Sequence, residues 1–149
     1  MILTADEFAD ALGLPAQACR VVKVFLADDR LVGALLPPGQ LPSPAALLTA
    51  TGAEGVRLAP TDVVNAATDY AAGLVAPILL PADMPLFADA DLHADAVVYT
   101  PTGDTGTALG IRTRDLLTVS RARVVELREP STEAAADAAA LRPAPVATP

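Results

Sequence analysis

Cysteine is nearly missing from this chain: Cys19 stands alone among 149 residues. A single thiol excludes an internal disulfide and a thiolate-built zinc site, and it suits a reducing compartment. Tryptophan is absent and aromatics make up 3% of the residues, so the 52% hydrophobic content rests on Ala, Val and Leu. No apolar run approaches the roughly 20 residues of a membrane-spanning helix. Acids at Asp6, Glu7 and Asp10 stand where a signal peptide carries basic residues, and a cytoplasmic protein with no membrane partner is expected. Positive charge is scarce as well, with ten Lys and Arg against 18 Asp and Glu and a net charge of −8. That balance excludes holding nucleic acid by bulk phosphate neutralisation, so DNA is not an expected partner and any RNA contact must be local. Histidine occurs once, at His93 in an acidic stretch, and no GxSxG elbow accompanies it. A Ser-His-Asp or Cys-His triad has little to build on, and Cys19 reads as a small core filler. The acids Asp83, Asp89, Asp91 and Asp95 lack an EF-hand spacing and read as surface acidity, so no metal and no cofactor is expected.

What is present reads as one α+β domain over 1–129 followed by a disordered Ala/Pro-rich tail over 130–149, whose composition cannot offset the entropy of ordering. Thr4-Ala5-Asp6-Glu7 has the form of a capping box for a short helix that carries Phe8 and Leu12 and stops at Gly13. Two apolar runs, 20–26 and 31–36, flank Asp28-Asp29-Arg30 and predict a β-hairpin buried on both faces inside a sheet. Ser43-Pro44 predicts a capped helix to Thr51 with a stop at Gly52. A short strand at 56–58, a helix capped by Thr61, and a loop over 68–77 follow. Strands at 96–100 and 107–111 enclose a turn, Thr113 caps a helical turn, and 121–127 closes with a last strand. The expected architecture is a mixed, mostly antiparallel sheet or partly open barrel with short flanking helices.

One charge stands out. Of the ten basic residues nine are Arg, and the lone lysine, Lys23, lies in an apolar strand on the face of Val21 and Phe25. An ammonium there must reach water, find an anion or lose its proton. Where Arg is used nearly everywhere else, Lys marks a place for a compact, flexible charge. The loop Gly73-Leu74-Val75-Ala76-Pro77, a GxxxP pattern after Thr68-Asp69-Tyr70, suggests a fixed bend with exposed backbone groups. The turn Thr102-Gly103-Asp104-Thr105-Gly106 is no P-loop, since no Lys-Ser/Thr pair follows, and by itself it reads as a hairpin turn.

The order of these features, from the strand lysine through the 45–51 helix, the Thr68–Pro77 segment and the Gly103–Gly106 turn to Arg114-Asp115-Leu116-Leu117, resembles the YbaK/EbsC family of aminoacyl-tRNA editing domains over about residues 4–127. That resemblance implies a trans-editing deacylase acting on the ester at the 3′-terminal adenosine of mischarged tRNA. It implies that Lys23 contacts the 3′ end and that Gly73, Leu74, Val75, Ala76 and Pro77 shape the amino-acid site. Thr68, Tyr70, Thr102, Gly103 and Gly106 would complete the substrate-binding set, with Arg112, Arg114, Arg121 and Arg123 adding phosphate contacts. A weak homodimer is compatible with it. Three departures stand against the family pattern: a short segment ahead of the first helix, Ala108 at an often polar position, and Ile78-Leu79-Leu80-Pro81 where many relatives have glycine. The alternative they leave is a non-catalytic relative that binds a small ligand, a tRNA end or a protein.

Overall fold

Apolar, β-branched sequence builds the centre of the molecule. In the computed structural model, which describes residues 7–70, 75–78, 80–92, 96–104 and 107–128, β1 (Val21–Ala27) and β2 (Arg30–Leu36) form an antiparallel hairpin, with Val21 opposite Leu36 and Ala27 opposite Arg30. Asp28 turns the chain with a φ of 54°, a left-handed conformation that Asp tolerates better than most residues. Its carboxylate accepts the N–H groups of Glu54 and Gly55, tying the turn to the next connection. β3 (Val56–Leu58) pairs antiparallel with the end of β1. On the other side β4 (Leu86–Asp89) and β7 (Arg123–Val125) add in parallel, giving the order β3-β1-β2-β4-β7. The hairpin is therefore interior, as its two-sided apolarity required. β5 (Val97–Pro101) and β6 (Ala108–Arg112) form a separate antiparallel ribbon.

The ribbon joins the main sheet at one point. Cys19 bridges Tyr99 in parallel, and the Arg20 N–H donates to the Tyr99 carbonyl at 2.9 Å. Pro101 has no N–H to continue that ladder, so β5 parts from β1 there. Further along the same edge Ala59 donates to the Val24 carbonyl, and Pro60 ends the β3 side of the pairing. Between the two prolines, this edge of β1, the one away from β2, has no described strand beside it.

Four helices cover the sheet. α1 (Phe8–Leu12) ends at Gly13 with a φ of 69°, the left-handed stop expected of glycine; the proposed cap at Thr4 lies outside the described residues. α2 (Pro44–Thr51) starts with Pro44 after Ser43, whose hydroxyl accepts the Ala46 N–H, and ends at Gly52. α3 (Thr61–Thr68) and α4 (Thr113–Ser120) correct the sequence reading in one respect. Thr61 and Thr113 are first helical residues rather than caps, the cap positions being Pro60 and Arg112 with no side-chain bond. The Thr113 hydroxyl instead donates to the Ala96 carbonyl, fastening α4 to the start of β5. No helix among the described residues is long and apolar enough to cross a membrane.

The two faces of the sheet carry different cores, set by the alternation of β1. Val22 and Val24 pack with Leu35, Val64, Val75, Leu86, Val98 and Leu116, under α3 and α4. Phe25 and Ala27 pack on the opposite face with Val32, Ala34, Leu47 and Phe87, under α2. Val21, also on that face, joins Phe8, Ala9 and Cys19 beneath α1. α2 begins where the Ser43 N–H donates to the Leu127 carbonyl, past the end of β7, and reaches β3 at its other end, so it crosses this face obliquely.

Candidate functional site

Lys23 follows from this arrangement. Its neighbours along the face, Val21 and Phe25, lie under α1 and α2 respectively, so the lysine leaves the sheet between the two helices. Its cross-strand partner is Ala34, whose small side chain leaves room for the four-carbon stem. While Val21, Val22, Val24 and Phe25 are all buried, Lys23 is half-buried, with an apolar stem on the sheet and a charged end at the margin. It also borders the segment of β1 edge between the two proline-ended ladders.

The second group of expected site residues assembles elsewhere. The Thr68 hydroxyl donates to the Val64 carbonyl at 2.7 Å and accepts the Tyr70 N–H at 3.1 Å, finishing α3. Tyr70 donates its phenolic hydroxyl to the Ile78 carbonyl at 3.1 Å, clamping the two ends of the loop that contains the GxxxP pattern. The Tyr70 ring lies against Gly103, where a Cβ would come within 2.9 Å of the ring, and Gly103 has a φ of 93°. Glycine is thus needed there twice, for the conformation and for the close approach. Thr102 is exposed and shares a 2.6 Å hydroxyl contact with Thr107. The structure brings Thr68, Tyr70 and Gly103 together and packs Tyr70 against the cluster that contains Val75.

It does not bring Val75 onto the face of Lys23. Val75 is 1% exposed and packs with Val22 and Val24, whereas Lys23 by alternation faces the other way. Ala76 and Pro77 are buried too, and Pro77 borders a cavity of about 350 Å³ with Pro81, Met84 and Arg121. The described part of the loop is core. Gly73, Leu74 and Gly106, like His93 and Asp95, lie outside the described residues.

Sequence reasoning missed a polar network. Arg20, 4% exposed, donates to the Gln17 and Cys19 carbonyls and to both oxygens of Asp91. Asp91 also pairs with Arg128, whose Nε donates to Asp89. Asp89, 5% exposed, accepts the Leu127 N–H at 3.0 Å as well. Partial burial works against the Arg128 charge, but the hydrogen bond that Arg128 donates to Asp89 and the charges of both acids outweigh it and raise its pKa. Asp89 and Asp91 are therefore not idle surface acidity; their charge is absorbed by two guanidinium groups. The available signal was their spacing of two, which in a strand end puts both on one side. Among the described residues no group of three acids, His or Cys could hold a metal. Cys19 is fully buried, and burial pushes its thiol above the ordinary value, with the Arg20 charge opposing.

Three kinds of comparison place this arrangement. No curated protein matches the chain significantly by sequence. Among solved structures, the hypothetical protein APE2540 is similar with 24% identity and a TM-score of 0.74, over 87% of this chain and 89% of that one, a likeness of fold. A structure described as a candidate trans-editing enzyme for prolyl tRNA synthetase is similar with 25% identity and a TM-score of 0.73, over 87% of this chain and 82% of the other. A scaffold used for computational epitope grafting shares the fold at 23% identity and a TM-score of 0.72, over 88% and 86%. The aminoacyl-tRNA editing domain family matches residues 2–119, from ahead of α1 to the last turn of α4, and the chain belongs to that family.

Proposed function

We propose that the protein is a trans-editing deacylase that hydrolyses the ester between a wrongly attached amino acid and the 3′-terminal adenosine of tRNA. The observation that carries this reading is Lys23: within the family match, the chain's one lysine is half-buried between residues that pack under α1 and α2, on a strand whose other residues, Leu26 apart, are buried. In the proposed site its ammonium holds the phosphate or ribose oxygens of the tRNA terminus. The residues 73 and 74 of the GxxxP loop, with Thr102 and Gly106 of the ribbon turn, border the amino-acid moiety. Thr68, Tyr70 and Gly103 act by fixing that loop against the ribbon, and Val75, Ala76 and Pro77 by anchoring it in the core.

The chemistry fits a site without a histidine-based nucleophile. Water adds to the ester carbonyl, the tetrahedral oxyanion collapses, and the ribose oxygen leaves with a proton. The protein supplies position and a positive potential, the contributions that matter most when substrate and water hold the reacting atoms. Purified protein offered tRNAs acylated with Ala, Ser, Cys and other small amino acids should release at least one of them faster than the spontaneous rate. Lys23→Ala should lower that rate by about 10²-fold, the cost of removing one aligned electrostatic donor. Equal rates for the two proteins, or none above background, would show that the domain binds without catalysing.

A further inference from the structure

A second concave site lies on the same face of the sheet, on the far side of α2 from Lys23. A groove of about 380 Å³ is bordered by Asp28, Arg30, Phe87, Arg123 and the last residues of α2, Thr51 and Gly52. Arg30 stands opposite Ala27 at the start of β2, and Arg123 opposite Phe87 in the β4–β7 pair. The two guanidinium groups thus come from strands at the two flanks of the groove. The Arg123 guanidinium carbon lies over the Phe87 ring, 5.8 Å from its centroid, within reach of a cation–π contact.

A buried or half-buried Arg needs a carboxylate or carbonyl partner, and Arg20 and Arg128 have theirs. Arg30 and Arg123, both exposed, are in no ion pair with a described residue, although the groove contains an acid of its own. That acid, Asp28, is spent on the backbone N–H groups of Glu54 and Gly55 at 3.0 to 3.3 Å. The C-terminal end of α2 places a partial negative charge at one wall, which opposes an anion, so the attraction must come from the two guanidinium groups. A pair of guanidinium groups with free donors matches phosphate oxygens in geometry and charge.

The geometry points to a phosphate-binding groove that holds the RNA backbone of the substrate, an inference that rests on the deacylase reading. Lys23 and Ala27 are four residues apart on β1, roughly 13 Å at about 3.3 Å per residue. The groove therefore meets nucleotides further from the 3′ end than that distance gives, because the RNA must pass over or around α2, a helix about 10 Å across that stands between the two places. It also reconciles an acidic protein with an RNA substrate: a few ungripped Arg contacts replace a basic surface.

The test uses an unacylated acceptor-stem duplex with its single-stranded 3′ end, bound to the full chain across a range of salt concentrations. Arg30→Gln and Arg123→Gln should each flatten the plot of log affinity against log salt by about 0.9, the value for one lost duplex phosphate contact. Arg123→Lys keeps the charge but gives up the planar fork of donors, and should fall between wild type and Arg123→Gln. Urea midpoints of the variants establish that they are folded. With acylated substrates, the ratio of kcat/KM for full tRNA to that for aminoacyl-adenosine should drop in both Gln variants. An unchanged salt slope in both overturns the proposal, and so does saturable binding of inorganic phosphate in the groove with RNA binding unaffected. Failure of wild type to hydrolyse any ester, with the slopes changed as expected, removes the deacylase reading and leaves the groove standing.

Discussion

At the scale of single residues, the most unusual atom outside the site is the Thr100 hydroxyl oxygen. Thr100 is fully buried in β5, and its hydroxyl makes no hydrogen bond with any described residue. It lies on the side of Val98, which faces the core under α3 and α4. An unpaired buried hydroxyl costs stability that an isosteric apolar group would not. Thr100→Val should therefore be neutral or stabilise by up to about 1 kcal/mol, seen as an unchanged or raised urea midpoint at constant m. A loss of more than that would mean that the hydroxyl has a partner in solution. Cys19, by contrast, behaves as its sequence suggested, a small buried filler with its thiol held protonated. Lys23 was legible for a simple reason: a charge in a two-sided apolar strand is visible without a structure. The role of Val75 was not, because a GxxxP pattern says that the chain bends without saying which side of the bend is packed.

At the scale of elements, most of the fold could be read from periodicity and punctuation. The hairpin, α2 with its Ser43 cap and Gly52 stop, and the β5–β6 ribbon fall within a residue or two of their expected bounds. β4 escaped. Leu86-Phe87-Ala88-Asp89 is buried at every position, so it carries no alternation, and its flanking prolines and acids resemble a surface loop. Its place in the sheet depends on parallel pairing with β2 and β7, contacts that local sequence cannot announce. The cost of that placement shows at Gly33, opposite Leu86 in β2. A Cβ there would come within 2.8 Å of a Leu86 methyl, 3.1 Å of the Met84 methyl and 3.3 Å of Val22. All three are buried and cannot move aside freely. Gly33→Ala should destabilise by about 1–3 kcal/mol through overpacking, measured by urea unfolding. A Leu86→Val change in the same chain should recover part of the loss, since it removes the nearest clash.

At the scale of the whole molecule, the Arg20–Asp91–Arg128–Asp89 network joins three places far apart in sequence: the entry to β1, the segment after β4, and the residues after β7. Removing one member strands the others. Asp89→Ala leaves the buried Leu127 N–H and the Arg128 guanidinium without their acceptor and should cost about 2 kcal/mol, lowering the urea midpoint. If the midpoint holds, the network is ornamental and the closure of the sheet rests on apolar packing alone. The acidic composition argued against broad nucleic-acid binding. How the scarce arginines are divided, two neutralised in this network and two left to a groove, was beyond composition, because it depends on which strands lie side by side.

That closure has a consequence for synthesis on the ribosome. β1, β2 and β3 are contiguous and can pair as soon as they emerge. β7 and the Arg128 link, which border β4 and secure Arg20, are made more than 90 residues after β1. During that interval the β4-facing edge of β2 waits uncovered until β4 is made, and the outer edge of β4 then waits for β7; such unpaired edges in a nascent polypeptide are where strand exchange and aggregation begin. Slow elongation through the second half of the message would lengthen that exposure, so the yield of soluble protein should depend on translation speed and chaperone supply more than its equilibrium stability suggests.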